Sequence, residues 1–158
     1  MLIFLWTPVV ILLDQIIKLF IQQKLELNES LAIIPNIFHI TYIRNKGAAF
    51  GLLSNLPEAI RIPFFIITGI VFLIFIIYYF KRILEQNTSI KFSFSLITGG
   101  AIGNFIDRVR FGEVIDFIEV GLSEKYKWPV FNLADSAITI GVVLLILHLI
   151  KNKKHLTE

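Results

Sequence analysis

Two aspartates set in apolar frames, Asp116 in VIDFI and Asp135 in NLADSA, are the residues of this chain best placed to do chemistry. An ionisable group at the edge of hydrocarbon is costly, and by default marks a functional site. Two carboxylates brought together share a proton, so that one acts as base and the other as acid on a single water. The pair lies 19 positions apart with a Trp-Pro turn at Trp128 and Pro129 between, too far for one helix face. A loop folding back is expected to carry Asp116 to Asp135. The run ITIGVVLLILHLI follows directly and reads as a membrane segment, so Asp135 falls in the first turn of a transmembrane helix. Asn132 as an N-cap, with Asp135 as the acid that favours a helix N-terminus, is the plainer account. It suits a soluble helix better than a membrane helix that faces a second acid.

The elements that must position this pair are membrane elements. The chain has 158 residues, 56% of them hydrophobic and 17% charged, and a mean hydropathy of +0.76. Fifteen phenylalanines lie along its whole length. This composition is far more apolar than that of a soluble domain, and implies a single polytopic membrane domain over 1–158. The absence of cysteine excludes a thiol nucleophile, a disulfide framework and thiolate metal sites. A net charge of +3 without a basic stripe interleaved with aromatics gives no support to nucleic-acid binding.

Four spans are expected, at about 4–22, 62–80, 92–107 and 133–150. The first has neither a basic start nor a small-residue cleavage site, so it is read as retained. Within it Asp14 and Lys18 stand four apart, acid first, and can pair on one helix face; a structural ion pair turned into the protein is the preferred reading. The second span has 19 uncharged residues ending at Tyr78, Tyr79, Lys81 and Arg82, and is read as a lipid-facing wall. The third is weaker, but Gly99 and Gly103 form a GxxxG spacing that admits a neighbouring helix. Asn104, Asp107 and Arg108 then share one face, where Arg108 could pin Asp107 or a carboxylate of the central pair. The polar stretch 23–61 contains a half-buried strand around 38–43, followed by Asn45, Gly47 and the small pair Ala48 and Ala49. Gly47 can take a positive φ and let a ligand backbone come close.

The two termini and the 81–91 loop hold six Lys and Arg in 22 residues, against eight in 63 on the other side. This density places both termini in the cytoplasm, and Asp116, Asp135, Arg108 and the 23–61 loop at the outer face.

The segments DQIIK at 14–18, NKGAAFG at 45–51, GGAIGNFIDR at 99–108, GEVIDFI at 112–118 and FNLADSAITIG at 131–141 occur in that order. Together they resemble lipoprotein signal peptidase, or signal peptidase II, the bacterial inner-membrane aspartic peptidase family, over almost the whole chain. The resemblance implies a mainly α membrane fold with four transmembrane helices and a small extracytoplasmic β-sheet cradle. It implies Asp116 and Asp135 as the catalytic dyad, Asn45, Gly47, Asn104, Arg108 and Asn132 as residues shaping the substrate site, and Asp14 and Lys18 as support. The implied substrate is a prolipoprotein whose cysteine already bears diacylglycerol, cut just before that cysteine beside membrane lipid. Neither a metal, an organic cofactor nor an obligate protein partner is required; HExxH is absent.

Three other classes fit less well. A serine peptidase needs a histidine at the site, yet His148 and His155 fall at the cytoplasmic end and His39 has no serine nucleophile beside it. A proton-coupled transporter would be expected to carry an inverted repeat, and four short spans leave little room for alternating access. A tetraspan scaffold would not need polar residues gathered at one depth.

Overall fold

In the computed structural model, which describes residues 5–48, 51–123 and 126–154, four long helices enclose polar groups and turn apolar side chains outward. They are α1 (Trp6–Lys24), α2 (Glu58–Glu85), α3 (Thr88–Phe111) and α4 (Leu133–Lys154), joined by strands β1 (Ser30–Ile34), β2 (Phe38–Asn45), β3 (Val114–Ser123) and β4 (Tyr126–Lys127). Residue 4 of the expected first span, Ala49 and Phe50 of the 45–51 motif, and His155 lie outside the described residues.

Local chemistry sets the helix ends. The Asn87 side chain accepts a hydrogen bond from the Ile90 N–H at 3.0 Å and starts α3. Gly112, at φ 70, ends it in the left-handed conformation and donates its N–H to the Arg108 carbonyl. Helix α2 begins a turn earlier than its apolar run suggests. Pro57 precedes it, and Glu58 in its first turn lies 3.3 Å from Arg61, so the acid meets both the helix dipole and a cation. Pro63, expected near the start of a span, therefore lies inside the helix.

Helix α3 is the hub, packed against α1, α2 and α4. Its glycines make this possible. A Cβ on Gly99 would stand 2.8 Å from the Val10 Cβ, one on Gly103 2.7 Å from Asp14 Oδ2, and one on Gly100 would collide with the Ala134 carbonyl oxygen. The GxxxG pair thus receives α1, while Gly100 receives α4 on another face.

The interior holds Asp14, Lys18, Ser93, Ser95, Asn104 and Asp107, whereas Leu12, Ile16 and Phe20 of α1, Ile67, Val71, Ile74 and Ile77 of α2, and Leu147 of α4 face outward. An apolar surface of that extent marks a membrane or interaction face. Two helices, α2 and the 133–151 part of α4, are long and apolar enough to cross a bilayer. Helices α1 and α3 are less apolar because they supply the polar interior.

The strands form one antiparallel sheet in the order β1-β2-β3-β4. The half-buried strand expected at 38–43 is β2. Asp116, however, sits on strand β3 rather than on a loop, with Ile43 as its register partner on β2. Alternation along β3 sends Ile115 and Phe117 into a core with Ile21 and Tyr42, and Val114 and Asp116 to the other face. The chain then turns back through β4, and Phe131 bridges to Ile118. That return closes the 19-residue gap, because Asn132 and the start of α4 arrive beside Asp116.

Candidate active site

Three elements and the residue before a fourth supply the side chains that frame the centre. Asp116 comes from β3, Asn104 from α3, Asn45 from the end of β2, and Asn132 stands just before α4. Asp116 accepts one amide on each oxygen, from Asn132 at 2.7 Å and from Asn45 at 2.9 Å. Asp135 accepts from the Asn104 side chain at 2.8 Å and from the Asn132 backbone N–H at 3.3 Å. The Asn132 Oδ1 in turn accepts the Asp135 N–H at 2.8 Å. Asn132 and Asp135 therefore form a reciprocal cap on α4. The plain capping account of Asp135 is correct in geometry, and it leaves one carboxylate oxygen turned to Asn104.

A cavity of about 650 Å³ opens here, lined by Asp116, Asp135, Asn45, Asn104 and Arg108, and by apolar groups including Val130, Phe131, Ile138 and Ile140. Asp116 is almost fully buried. Burial pushes its carboxyl up to about 7; the Asp135 charge adds to the rise, while the Asn45 and Asn132 hydrogen bonds and the Lys18 charge oppose it.

Beneath the centre, Lys18 Nζ lies 2.8 Å from Asp14 and 2.8 Å from Asp107 and donates to Asn104 Oδ1 at 3.1 Å. Its three protons thus find three acceptors. The expected Asp14–Lys18 pair is present but larger than expected, since Asp107 joins it. All three ions are essentially fully buried. Lys18→Met would leave Asp14 and Asp107 facing each other uncompensated, at an expected cost of about 3–5 kcal/mol. Thermal unfolding in detergent checks this, and an unchanged midpoint would contradict it.

Two expectations need correction. Arg108 pins no carboxylate: among the described residues it forms no ion pair within 4.0 Å. It donates instead to the Gly47 carbonyl at 3.2 Å, and its guanidinium lies 4.5 Å from the centre of the Phe65 ring on α2. A planar cation stacks on an aromatic face while still donating at its edge. Gly47 does not take a positive φ; the positive-φ glycines among the described residues are Gly51 and Gly112. Gly47 is small because its own loop folds over it, and a Cβ there would stand 2.5 Å from the Leu52 carbonyl oxygen. Its N–H is taken by Asn45 Oδ1 at 2.9 Å. Gly47 thus orients Asn45, and through it Asp116.

Gln15 was not anticipated. Its side-chain amide reaches Asp107 at 3.0 Å and Asp14 at 3.3 Å, and only its place beside Asp14 hinted at such a role. The extent of Asp107's part was also missed, although its position three residues after Asn104 put it on the polar face of α3.

Fold and site define a mainly helical membrane protein with two carboxylates at one amide-lined centre. The chain belongs to the signal peptidase II family: the family described as Signal peptidase (SPase) II matches residues 6–151. It is 48% identical over 138 residues to a lipoprotein signal peptidase of Syntrophotalea carbinolica, covering 87% of this chain and 84% of that one. A lipoprotein signal peptidase of Halothermothrix orenii is 45% identical over 146 residues, 92% of this chain and 93% of the relative. A bacterial membrane enzyme solved by the in meso method superposes with a TM-score of 0.84 at 39% identity, covering 96% of this chain and 88% of the other.

Proposed function

We propose that this protein is an aspartic endopeptidase that removes the signal peptide from diacylglyceryl-modified prolipoproteins, cutting before the lipidated cysteine. The observation that carries this reading is the hydrogen-bonded frame that presents Asp116 and Asp135 to one cavity, in a chain of the signal peptidase II family.

In the mechanism, Asp116 holds the shared proton and Asp135 acts as the base. Asp135 takes a proton from water, whose oxygen attacks the scissile carbonyl carbon. Asp116 gives its proton to the carbonyl oxygen. As the tetrahedral diol collapses, the C–N bond breaks, the leaving nitrogen takes the proton held by Asp135, and Asp116 takes back one hydroxyl proton as the new carboxyl C=O forms, which restores the starting proton arrangement. Asn45, Asn104 and Asn132 keep the two carboxylates aimed, Gly47 and Arg108 hold Asn45 in place, and Asp14 and Lys18 support the frame from below.

All four helices are placed across the bacterial inner membrane as one domain, with both termini cytoplasmic and the dyad near the outer face. The outward apolar sides of α1 and α2 support this, as does the basic density at the termini and the 81–91 loop. The sheet then lies on the extracytoplasmic side. The partners are the prolipoprotein and surrounding membrane lipid, with no obligate protein partner.

Purified protein in detergent micelles should cut a diacylglyceryl precursor to leave lipidated cysteine as the new N-terminus; an uncut precursor would refute the reading. The same assay has a defined pH response. Asp116 faces Asp135, Asn45 and Asn132, with the Lys18 and Arg108 charges nearby. Its carboxyl is protonated below about 7 and ionised above. Turnover should therefore fall as pH rises through about 7, and a rate that climbs from pH 7 to 9 would show that Asp116 is not the proton holder.

A further inference from the structure

The ion cluster under the dyad reaches the backbone at two matching points. Asp14 Oδ1 accepts the N–H of Ala134 at 3.0 Å, and Asp107 Oδ2 accepts the N–H of Ile115 at 3.1 Å. Ala134 immediately precedes Asp135, and Ile115 immediately precedes Asp116. Each lower carboxylate thus grips the backbone N–H of the residue directly before one upper carboxylate. Lys18 Nζ spans the two lower carboxylates at 2.8 Å on each side, and the Gln15 amide spans them again at 3.0 and 3.3 Å. The separation of the two grips is set by two separate bridges, both carried on α1.

Charge balance alone does not call for this arrangement. One carboxylate would neutralise Lys18, and a second leaves the buried cluster with a formal charge of −1. The extra acid is accounted for by the N–H it holds, since a carboxylate makes a stronger and more directional acceptor than a neutral group. Ile115 and Ala134 are themselves fully buried, so no solvent competes for either N–H.

We propose that Asp14 and Asp107 are paired positioning residues, each fixing one catalytic aspartate through the backbone N–H of the residue before it, with Lys18 and Gln15 setting the distance between them. The proposal rests on the dyad reading above. It gives Asp107 a task equal to that of Asp14, and makes Lys18 a spacer as well as a counter-ion.

The test compares serine with asparagine at each position in the full-length protein in detergent, with kcat and KM expressed per folded molecule. Both replacements are neutral, so they alter the cluster charge equally. Only asparagine keeps an acceptor oxygen in reach of the backbone N–H. Asp107→Ser and Asp14→Ser should each lower kcat at least about 10-fold, as expected for small displacements of a reacting group, with KM within about threefold. Asp107→Asn and Asp14→Asn should recover most of that loss. If serine and asparagine variants turn over equally, or if only KM moves, the positioning role is wrong and the acids are simple counter-ions. Should a serine variant fail to fold, the glutamate variant decides by the same kcat criterion, because it keeps the charge and shifts the oxygen by one methylene. An inert parent enzyme would refute the peptidase reading instead; an active parent, an inert Asp116→Asn and normal serine variants would refute the positioning role alone.

Discussion

Asp116→Asn and Asp135→Asn will each lower kcat by at least about 10³-fold, because an amide at 135 can neither take a proton from water nor return it to the leaving amine, and an amide at 116 has no acid proton to give the carbonyl oxygen. The frame around each acid also gives the variants a defined stability. Asp116 receives the Asn45 and Asn132 amides on its two oxygens, and asparagine offers a single acceptor there. One donor must turn away or stay unpaired, at about 1–3 kcal/mol. Asp135→Asn meets the same problem with Asn104 and the Asn132 N–H, but it is less buried than Asp116 and water can take up the slack. Turnover per folded molecule should therefore collapse in both variants, while thermal unfolding in detergent shows a modest loss, larger for Asp116→Asn. Near-normal turnover in either variant would remove that residue from the dyad.

A precursor with an unmodified cysteine will be cut at least about 100-fold less efficiently in kcat/KM than the diacylglyceryl form, a difference of about 2.7 kcal/mol. The cavity is lined by Asp116 and Asp135 together with the apolar groups Phe131, Ile138 and Ile140, and Asp135 lies in the first turn of α4. With the helices placed as proposed, the scissile bond is held at the membrane edge rather than delivered from bulk water. Each buried acyl methylene contributes about 0.8 kcal/mol, much of it spent on simple partitioning into the bilayer or micelle. What remains fixes the depth of the cysteine and the register of the peptide bond against Asp116 and Asp135. Both peptides should be compared in the same micelles, with each peptide's micelle binding measured separately. Equal cleavage would remove the depth argument and the specificity for lipidated substrates with it.

The sequence by itself determined whatever depends on short-range pattern. Asp14 and Lys18 share a helix face because they are four residues apart, and the structure pairs them at 2.8 Å. Gly99 and Gly103 open one face of α3 by the same periodicity. Asn132 and Asp135 are spaced as a cap and form one. Asp116 and Asp135, the two acids of the proposed dyad, stood out because carboxylates inside apolar runs have few structural uses, and both line one cavity.

Strand β3 was not legible, because VIDFIEV is apolar on both faces of the pleat: Ile115 and Phe117 pack into one core, and Val114 lines the cavity. A run buried on both sides shows no alternation, and reads equally as loop or helix. The partners of the buried polar groups were also beyond reach. Asp14 holds a backbone N–H 120 residues away, and Arg108 donates to a carbonyl 61 residues away. No periodicity encodes such distances. Which donor meets which acceptor was decided only when α1, α3, β3 and α4 packed together, because a polar group shut away from water must bond to whatever the fold brings within about 3 Å of it.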